Sequence, residues 1–307
     1  MVKCWRGVEF MDTVLRTTDV VKKYGNRTVL NKISMHINKG DIYGFIGKNG
    51  AGKTTFMRVI LSLTTSDGGE VEFFDHKIIE EVGLKVGSLI ELPGLYKNAT
   101  AQENLKRFSI LYGADESKID NILELVGLGD VGNRAVKNFS LGMRQRLGIA
   151  IALLGDPEFL ILDEPINGLD PEGIKEIRDV ILKLNKEKGI TFLISSHLLD
   201  ELAKVVTRYG IIDNGVLIEE IEADALREKC KNKTIFEVDN SEKASKIISK
   251  MVNKDEIVTK KNSVEVHSNL KDTASINKAL VEAGVGVKAL YSSSDSLEEY
   301  FMKRIGG

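Results

Sequence analysis

The residues most suited to chemistry form one run, Gly47-Lys48-Asn49-Gly50-Ala51-Gly52-Lys53-Thr54-Thr55. It fits G-x-x-x-x-G-K-[ST], a loop that binds phosphate. Glycines let the backbone curl so that successive N–H groups converge on phosphate oxygens. A helix beginning at the end of the loop turns its positive end to the same anion. Lys53 is placed to reach the β- and γ-phosphates, and the Thr54 hydroxyl to ligate Mg²⁺. Gly47, Asn49, Gly50, Gly52, Lys53, Thr54 and Thr55 are therefore the candidate phosphate contacts. The loop specifies a nucleotide but not its use.

A second run, Phe159-Leu160-Ile161-Leu162-Asp163-Glu164-Pro165, puts two acids directly after four apolar residues. Such a run reads as a buried parallel strand, and ligands bind at the C-terminal ends of strands in sheets of that kind. Asp163 is suited to holding Mg²⁺, and Glu164 to orienting and deprotonating an attacking water. Ser196-His197 comes after another apolar run, Thr191 to Ser195. His197 is either a structural residue at a strand end or a γ-phosphate contact. Ser140 and Gly142 open a long helix, which is either a plain capped start or a second anion-binding end. Tyr24 sits at a turn, where it is either an ordinary turn aromatic or a platform for a base.

The elements around these residues can be read from periodicity and punctuation. Val14 to Val21 and Thr28 to Ile37 read as antiparallel strands joined at Tyr24-Gly25-Asn26. Ile42 to Ile46 is the strand before the phosphate loop, and Thr54 to Leu63 the helix after it. Val71 to Phe74 is a strand, and Val82 to Ile90 leads into Glu91-Leu92-Pro93-Gly94. Thr100 and Glu103 form a capping box for a helix to Tyr112, closed by Gly113. Further helices are expected over 116–127, to about Leu154, over 172–186 and over 198–206. Asp213-Asn214-Gly215 marks a hairpin.

Composition sets the outer limits. The chain has 307 residues, enough for two domains, with 42% hydrophobic and 29% charged residues. A net charge of -2 argues against a dedicated nucleic-acid binder. Two cysteines, Cys4 and Cys230, have no metal-type spacing. No apolar run approaches the ~20 residues that span a bilayer, so a membrane role needs a partner chain. Residues 1–11 lack the regular strand patterning of the residues after them and are expected to be an extension, with Met11 as an alternative start.

In order along the chain, the phosphate loop, Ser140-Leu141-Gly142-Met143-Arg144-Gln145, Leu162-Asp163-Glu164-Pro165, Gly168-Leu169-Asp170 and Ser196-His197 resemble the ATP-binding subunit of ATP-binding-cassette (ABC) transporters. The resemblance covers about residues 12–222. It implies an α/β fold: a P-loop NTPase cassette with a mostly parallel core sheet, an antiparallel β subdomain and a helical subdomain. It also implies ATP and Mg²⁺ as ligands, and it makes Tyr24 the adenine-stacking aromatic. Ser140 and Gly142 match the signature motif, which contacts the γ-phosphate held by a second copy. Asp170 matches the dimer-communicating loop, and His197 the switch histidine. The expected partners are a second cassette and a separate polytopic permease, with the chain at the cytoplasmic face of the plasma membrane.

Two departures refine this. The signature reads Phe-Ser-Leu-Gly-Met where many members have Leu-Ser-Gly-Gly-Gln, and Glu91 replaces the usual loop glutamine as a candidate Mg²⁺ ligand. A carboxylate can ligate the metal but adds a negative charge and, when ionised, donates no hydrogen bond. This variant resembles the bacitracin-resistance and lantibiotic self-protection branch, which implies export of an antimicrobial peptide. The alternatives are an exporter of sodium or another hydrophobic molecule, or a soluble ATPase acting on ribosomes or nucleic acid. Residues 223–307 carry no chemical motif and read β-α-β-β-α-β, the order of a ferredoxin-like plait. Such a domain could brace a dimer, sense a ligand or extend the surface.

Overall fold

The computed structural model describes residues 13–77, 82–91, 94–230, 232–267, 270, 272–294 and 297–305. The expected extension at 1–11, and Leu92 and Pro93 of the Glu91 loop, lie outside them. Internal packing divides the chain between Ala223 and Asp224.

In the first unit, β1 (Thr13–Tyr24) and β2 (Arg27–Asn38) form the expected hairpin, and β4 (Gly68–Phe73) adds to the other edge of β1. This three-stranded sheet is antiparallel throughout. The second sheet has the order β5-β6-β7-β3-β8-β9. It is built from β3 (Ile42–Ile46), β5 (Val86–Leu89), β6 (Phe159–Asp163), β7 (Thr191–Ser196), β8 (Arg208–Asp213) and β9 (Val216–Glu222). Its first five strands run parallel, and β9 is antiparallel to β8. β3, β6 and β7 are buried at every residue, which is why they read as unbroken apolar runs rather than alternating ones. Asn214 and Gly215 both have positive φ, 46° and 76°, as the two-residue turn between β8 and β9 requires.

Helices supply the rest. α1 (Lys53–Ile60) is shorter than its expected span, because Ser62 turns into the left-handed region at φ 56°. Phe56 on α1 packs against Phe45 on β3 with ring centroids 5.0 Å apart, fixing the helix over the strand that feeds the loop. α2 (Ala101–Tyr112) has the full capping box and a left-handed Gly113. Asn104 on α2 is fully buried, donates to the carbonyls of Tyr96 and Thr100, and accepts from the Tyr96 N–H. That one side chain ties the segment after Glu91 to the helical region. The expected helix over 116–127 is a 3₁₀ turn, Glu116–Lys118, followed by α3 (Ile119–Leu125). α4 (Leu141–Ala152) and α5 (Pro171–Lys188) come next, and α6 is only Leu199–Leu202, shorter than the span expected for it. Arg146 on α4 donates to the carbonyls of Val126 and Gly127 and pairs with Glu176 on α5 at 3.1 Å, joining three helices.

The second unit opens within α7 (Ala223–Lys229), a helix that the sequence pattern does not announce. After it come β10 (Asn232–Val238), α8 (Ser241–Ile248), β11 (Ile257–Thr259), β12 (Ser263–Val266), α9 (Thr273–Glu282), β13 (Val287–Ser294) and α10 (Leu297–Ile305). The strands pair antiparallel in the order β11-β12-β10-β13. Counted within the unit this is 2-3-1-4, the arrangement of a ferredoxin-like plait. Phe236, Val238, Ala244, Ile248, Val264, Val266, Ile276 and Leu280 form its core. Glu265 on β12 is buried, yet its carboxylate accepts from Lys260 Nζ at 2.6 Å. Burial alone raises that carboxyl, but the Lys260 hydrogen bond and the charges of Lys233, Lys260 and His267 together hold it below the usual glutamate range.

Candidate functional site

Because β6, β7 and β3 are parallel neighbours, their C-terminal ends line up. Asp163 is paired with Ser195, and Ile46, one residue before the phosphate loop, with Ser196. Three sequence-distant motifs therefore meet at one edge of the sheet, as ligand sites in such folds do.

Each loop residue has a local reason. A Cβ on Gly47 would lie 2.5 Å from the Ile212 carbonyl oxygen, so only glycine fits there. Gly52 has φ 111° and precedes α1 with no side chain capping the helix start. The first N–H groups of α1 are thus left for an anion. Lys53 is buried, its ammonium donating to the Gly47 carbonyl at 2.6 Å and lying 3.1 Å from Glu164 Oε1. Thr54 Oγ1 donates to Asp163 Oδ2 at 2.7 Å. Asn49, Gly50, Gly52, Lys53, Thr54, Thr55, Glu164, Val29 and Asn167 line a cavity of about 310 Å³.

Ser195 belongs to no motif, and the sequence alone does not single it out. Its hydroxyl donates to Asp163 Oδ1 at 2.5 Å and accepts from the Glu164 N–H at 2.8 Å, so one buried oxygen sets both acids. Glu164 has φ 48°, in the left-handed region, which turns its side chain off the strand end. Its Oε2 lies 2.8 Å from His197 Nδ1. The Thr54 hydroxyl and Asp163 carboxylate are hard oxygen donors. They fit Mg²⁺, which takes few protein ligands beside phosphate oxygens and water.

Other candidates stand apart from this cluster. Tyr24, half exposed at the end of β1 with Lys22 Nζ 5.2 Å from its ring centre, lies outside the cavity lining. Ser140 is the N-cap of α4, accepting from the Met143 N–H at 3.2 Å, and buried Gly142 lies in the first turn. Asp170 likewise caps α5, accepting from the Gly173 N–H. The Glu91 carboxylate meets Arg58 Nη2 at 2.5 Å. Among the described residues no helix is long and apolar enough to cross a membrane.

Comparison with known proteins agrees with this geometry. The family model described as "ABC transporter" matches residues 30–167. The bacitracin transport ATP-binding protein BcrA of Bacillus licheniformis is 43% identical over 302 residues, 97% of this chain and 99% of the relative. The lantibiotic transport ATP-binding protein SrtF of Streptococcus pyogenes is 44% identical over 227 residues, 73% of this chain and 99% of that protein. A crystal structure of an ABC-transporter ATP-binding cassette in its ADP conformation aligns with TM-score 0.63 and 30% identity, over 68% of this chain and 91% of its own. The identity to BcrA over almost the whole of both chains, together with a phosphate loop facing an Asp-Glu strand end, places this chain in the ABC transporter family as an ATP-binding, ATP-hydrolysing subunit.

Proposed function

We propose that the subunit drives export of an antimicrobial peptide of the bacitracin or lantibiotic type, working as a pair of cassettes beneath a separate permease at the cytoplasmic face of the membrane. The observation that carries the ATPase part is the meeting of Lys53, Thr54, Asp163, Glu164 and His197 at adjoining strand ends. The names of BcrA and SrtF support the cargo class.

The residues divide the work among them. The loop N–H groups and Lys53 bind the β- and γ-phosphates, and exposed Tyr24 offers a face to the adenine. Thr54 and Asp163 would hold Mg²⁺, which when bound would neutralise charge on the phosphate oxygens. Glu164 takes a proton from water as its oxygen bonds to the γ-phosphorus. The bond from that phosphorus to the β–γ bridging oxygen breaks, leaving ADP and inorganic phosphate. His197, hydrogen-bonded to Glu164, orients the carboxylate and is the candidate contact to the γ-phosphate. Ser140 and Gly142 of a second copy close over the nucleotide, with Asp170 at the seam.

The test is export. Cells carrying this subunit with its permease should tolerate bacitracin or a lantibiotic, and cells carrying the Lys53→Ala chain should not. Equal sensitivity to both classes of peptide in the two strains would remove the cargo reading while leaving ATP hydrolysis intact.

A further inference from the structure

The first turns of α4 and α5 lie against each other on glycines. A Cβ on Gly142 would sit 3.6 Å from the Gly173 Cα and 3.9 Å from Glu176 Oε2. One turn further along, Arg146 on α4 and Glu176 on α5 pair at 3.1 Å. Positions 142 and 146 share a face of α4, and positions 173 and 176 a face of α5. The glycines and the ion pair are therefore two successive rungs of one contact. Ser140 caps α4 just before the first rung, and Asp170 caps α5 just before it on the other side. Both caps thus stand at the same end of the helix pair. Arg146 is buried, and its Nη1 also donates to the carbonyls of Val126 and Gly127. These follow the C-terminal end of α3, where a cation is favoured. Gly127, at φ 67°, leaves room for the guanidinium, since a Cβ there would lie 2.8 Å from Nη1.

We propose that Arg146 is a positioning residue, with Glu176 as its partner: it locks α4 and α5 into one block, so that Ser140 and Asp170 are offered together to the nucleotide held by a second copy. This rests on the reading of Ser140, Gly142 and Asp170 as residues that act on the other copy. Neither Arg146 nor Glu176 is among the residues that line the phosphate cavity of its own chain. Damage to the block therefore spares the chain's own nucleotide binding and appears in the site it completes for its partner. Glu176 is 41% exposed, so its share is the smaller one. Arg146 carries more, because its loss leaves two carbonyls and a carboxylate without their donor.

The experiment compares the full chain with Arg146→Met, Glu176→Ala and the double variant. A fluorescent ATP analogue reads nucleotide affinity of the single chain, and size-exclusion chromatography in the Glu164→Gln background reads ATP-driven pairing. Pairing should weaken roughly tenfold or more in Arg146→Met and about threefold in Glu176→Ala, with the double variant no worse than Arg146→Met. Nucleotide affinity of the single chain should stay at the parent value. Turnover is then measured for Arg146→Met mixed with Lys53→Ala. Such a mixed pair keeps one intact site, the phosphate loop of the first chain beneath the Ser140 end of the second. The mixture should run at least ~3-fold faster than the sum of the two variants assayed apart, a gain that a misfolded Arg146→Met chain could not give. Loss of nucleotide affinity in Arg146→Met, pairing unchanged in it, or no gain on mixing overturns the proposal. The control mixture is Ser140→Ala with Lys53→Ala. A gain there leaves the second-copy reading standing whatever becomes of Arg146, and no gain there overturns that reading and the proposal with it.

Discussion

His197 Nδ1 and Glu164 Oε2 lie 2.8 Å apart, while Lys53 Nζ stands 3.1 Å from the other oxygen of the same carboxylate. Glu164 is therefore held at both oxygens, by two groups proposed to contact phosphate. Replacing it with glutamine keeps the shape and removes the proposed base. Glu164→Gln should bind ATP, accumulate as a closed dimer in size-exclusion chromatography, and turn over at least ~100-fold more slowly. Phosphate release at the parent rate would exclude Glu164 as the base.

Ser195 holds the two acids in register. Ser195→Ala leaves Asp163 Oδ1 and the Glu164 N–H without their partner. The expected loss is about 1–3 kcal/mol of stability, the usual cost of leaving a buried polar group unsatisfied. Urea unfolding measures it, and ATP turnover should fall alongside.

The capping box at Thr100 and Glu103 is separate from the chemistry. Thr100→Ala should cost about 1 kcal/mol in the same unfolding assay while ATP affinity stays unchanged.

Gly210 offers a packing test. A Cβ there would lie 2.2 Å from the hydroxyl of Tyr43, which donates to Glu220 at 2.9 Å. That phenol is buried, and burial followed by the Glu220 charge pushes its ionisation well above the usual tyrosine range, so it stays neutral. Gly210→Ala should destabilise the chain by about 1–3 kcal/mol or more, and Tyr43→Phe in the same chain should recover part of that loss.

Glu265 gives the second unit an acid sensitivity. Its folded-state ionisation lies below the ordinary value, so the unfolded chain takes up the proton first as pH falls. The stabilisation is complete above the unfolded glutamate value of about 4.3 and is lost as pH drops below it through the folded value. Hydrogen exchange of β10 amides, followed from pH 7 downward, should show this loss in the parent chain and a flatter profile in Glu265→Gln.

Much of the molecule is legible in the residue order, and the exceptions have physical causes. Glycine spacing, buried apolar strands and caps are local signals, so the loop, β6, β7 and α2 stand where the sequence puts them. The plait is readable from its element order, and the strand pairing completes it. Ser195 is not readable as a site residue. A serine ending an apolar strand becomes the clamp of two acids only when β6 lies beside β7. The Arg58–Glu91 contact is hidden for the same reason: a cation on α1 and an acid after β5 are 33 residues apart, and only the fold brings them together. Sequence pattern overestimates helix length at α1 and α6, where apolar residues continue after the backbone has already turned.

The left-handed backbone at Glu164 has an evolutionary consequence. Asparagine or glycine would sit there with less strain than glutamate. A library selected only for thermal tolerance should drift away from glutamate at 164, whereas one selected for survival in peptide antibiotic should keep it. On the proposed role of Glu164, the residue that the fold prefers and the residue that the reaction needs are different at this one position, so robustness gained there is turnover lost.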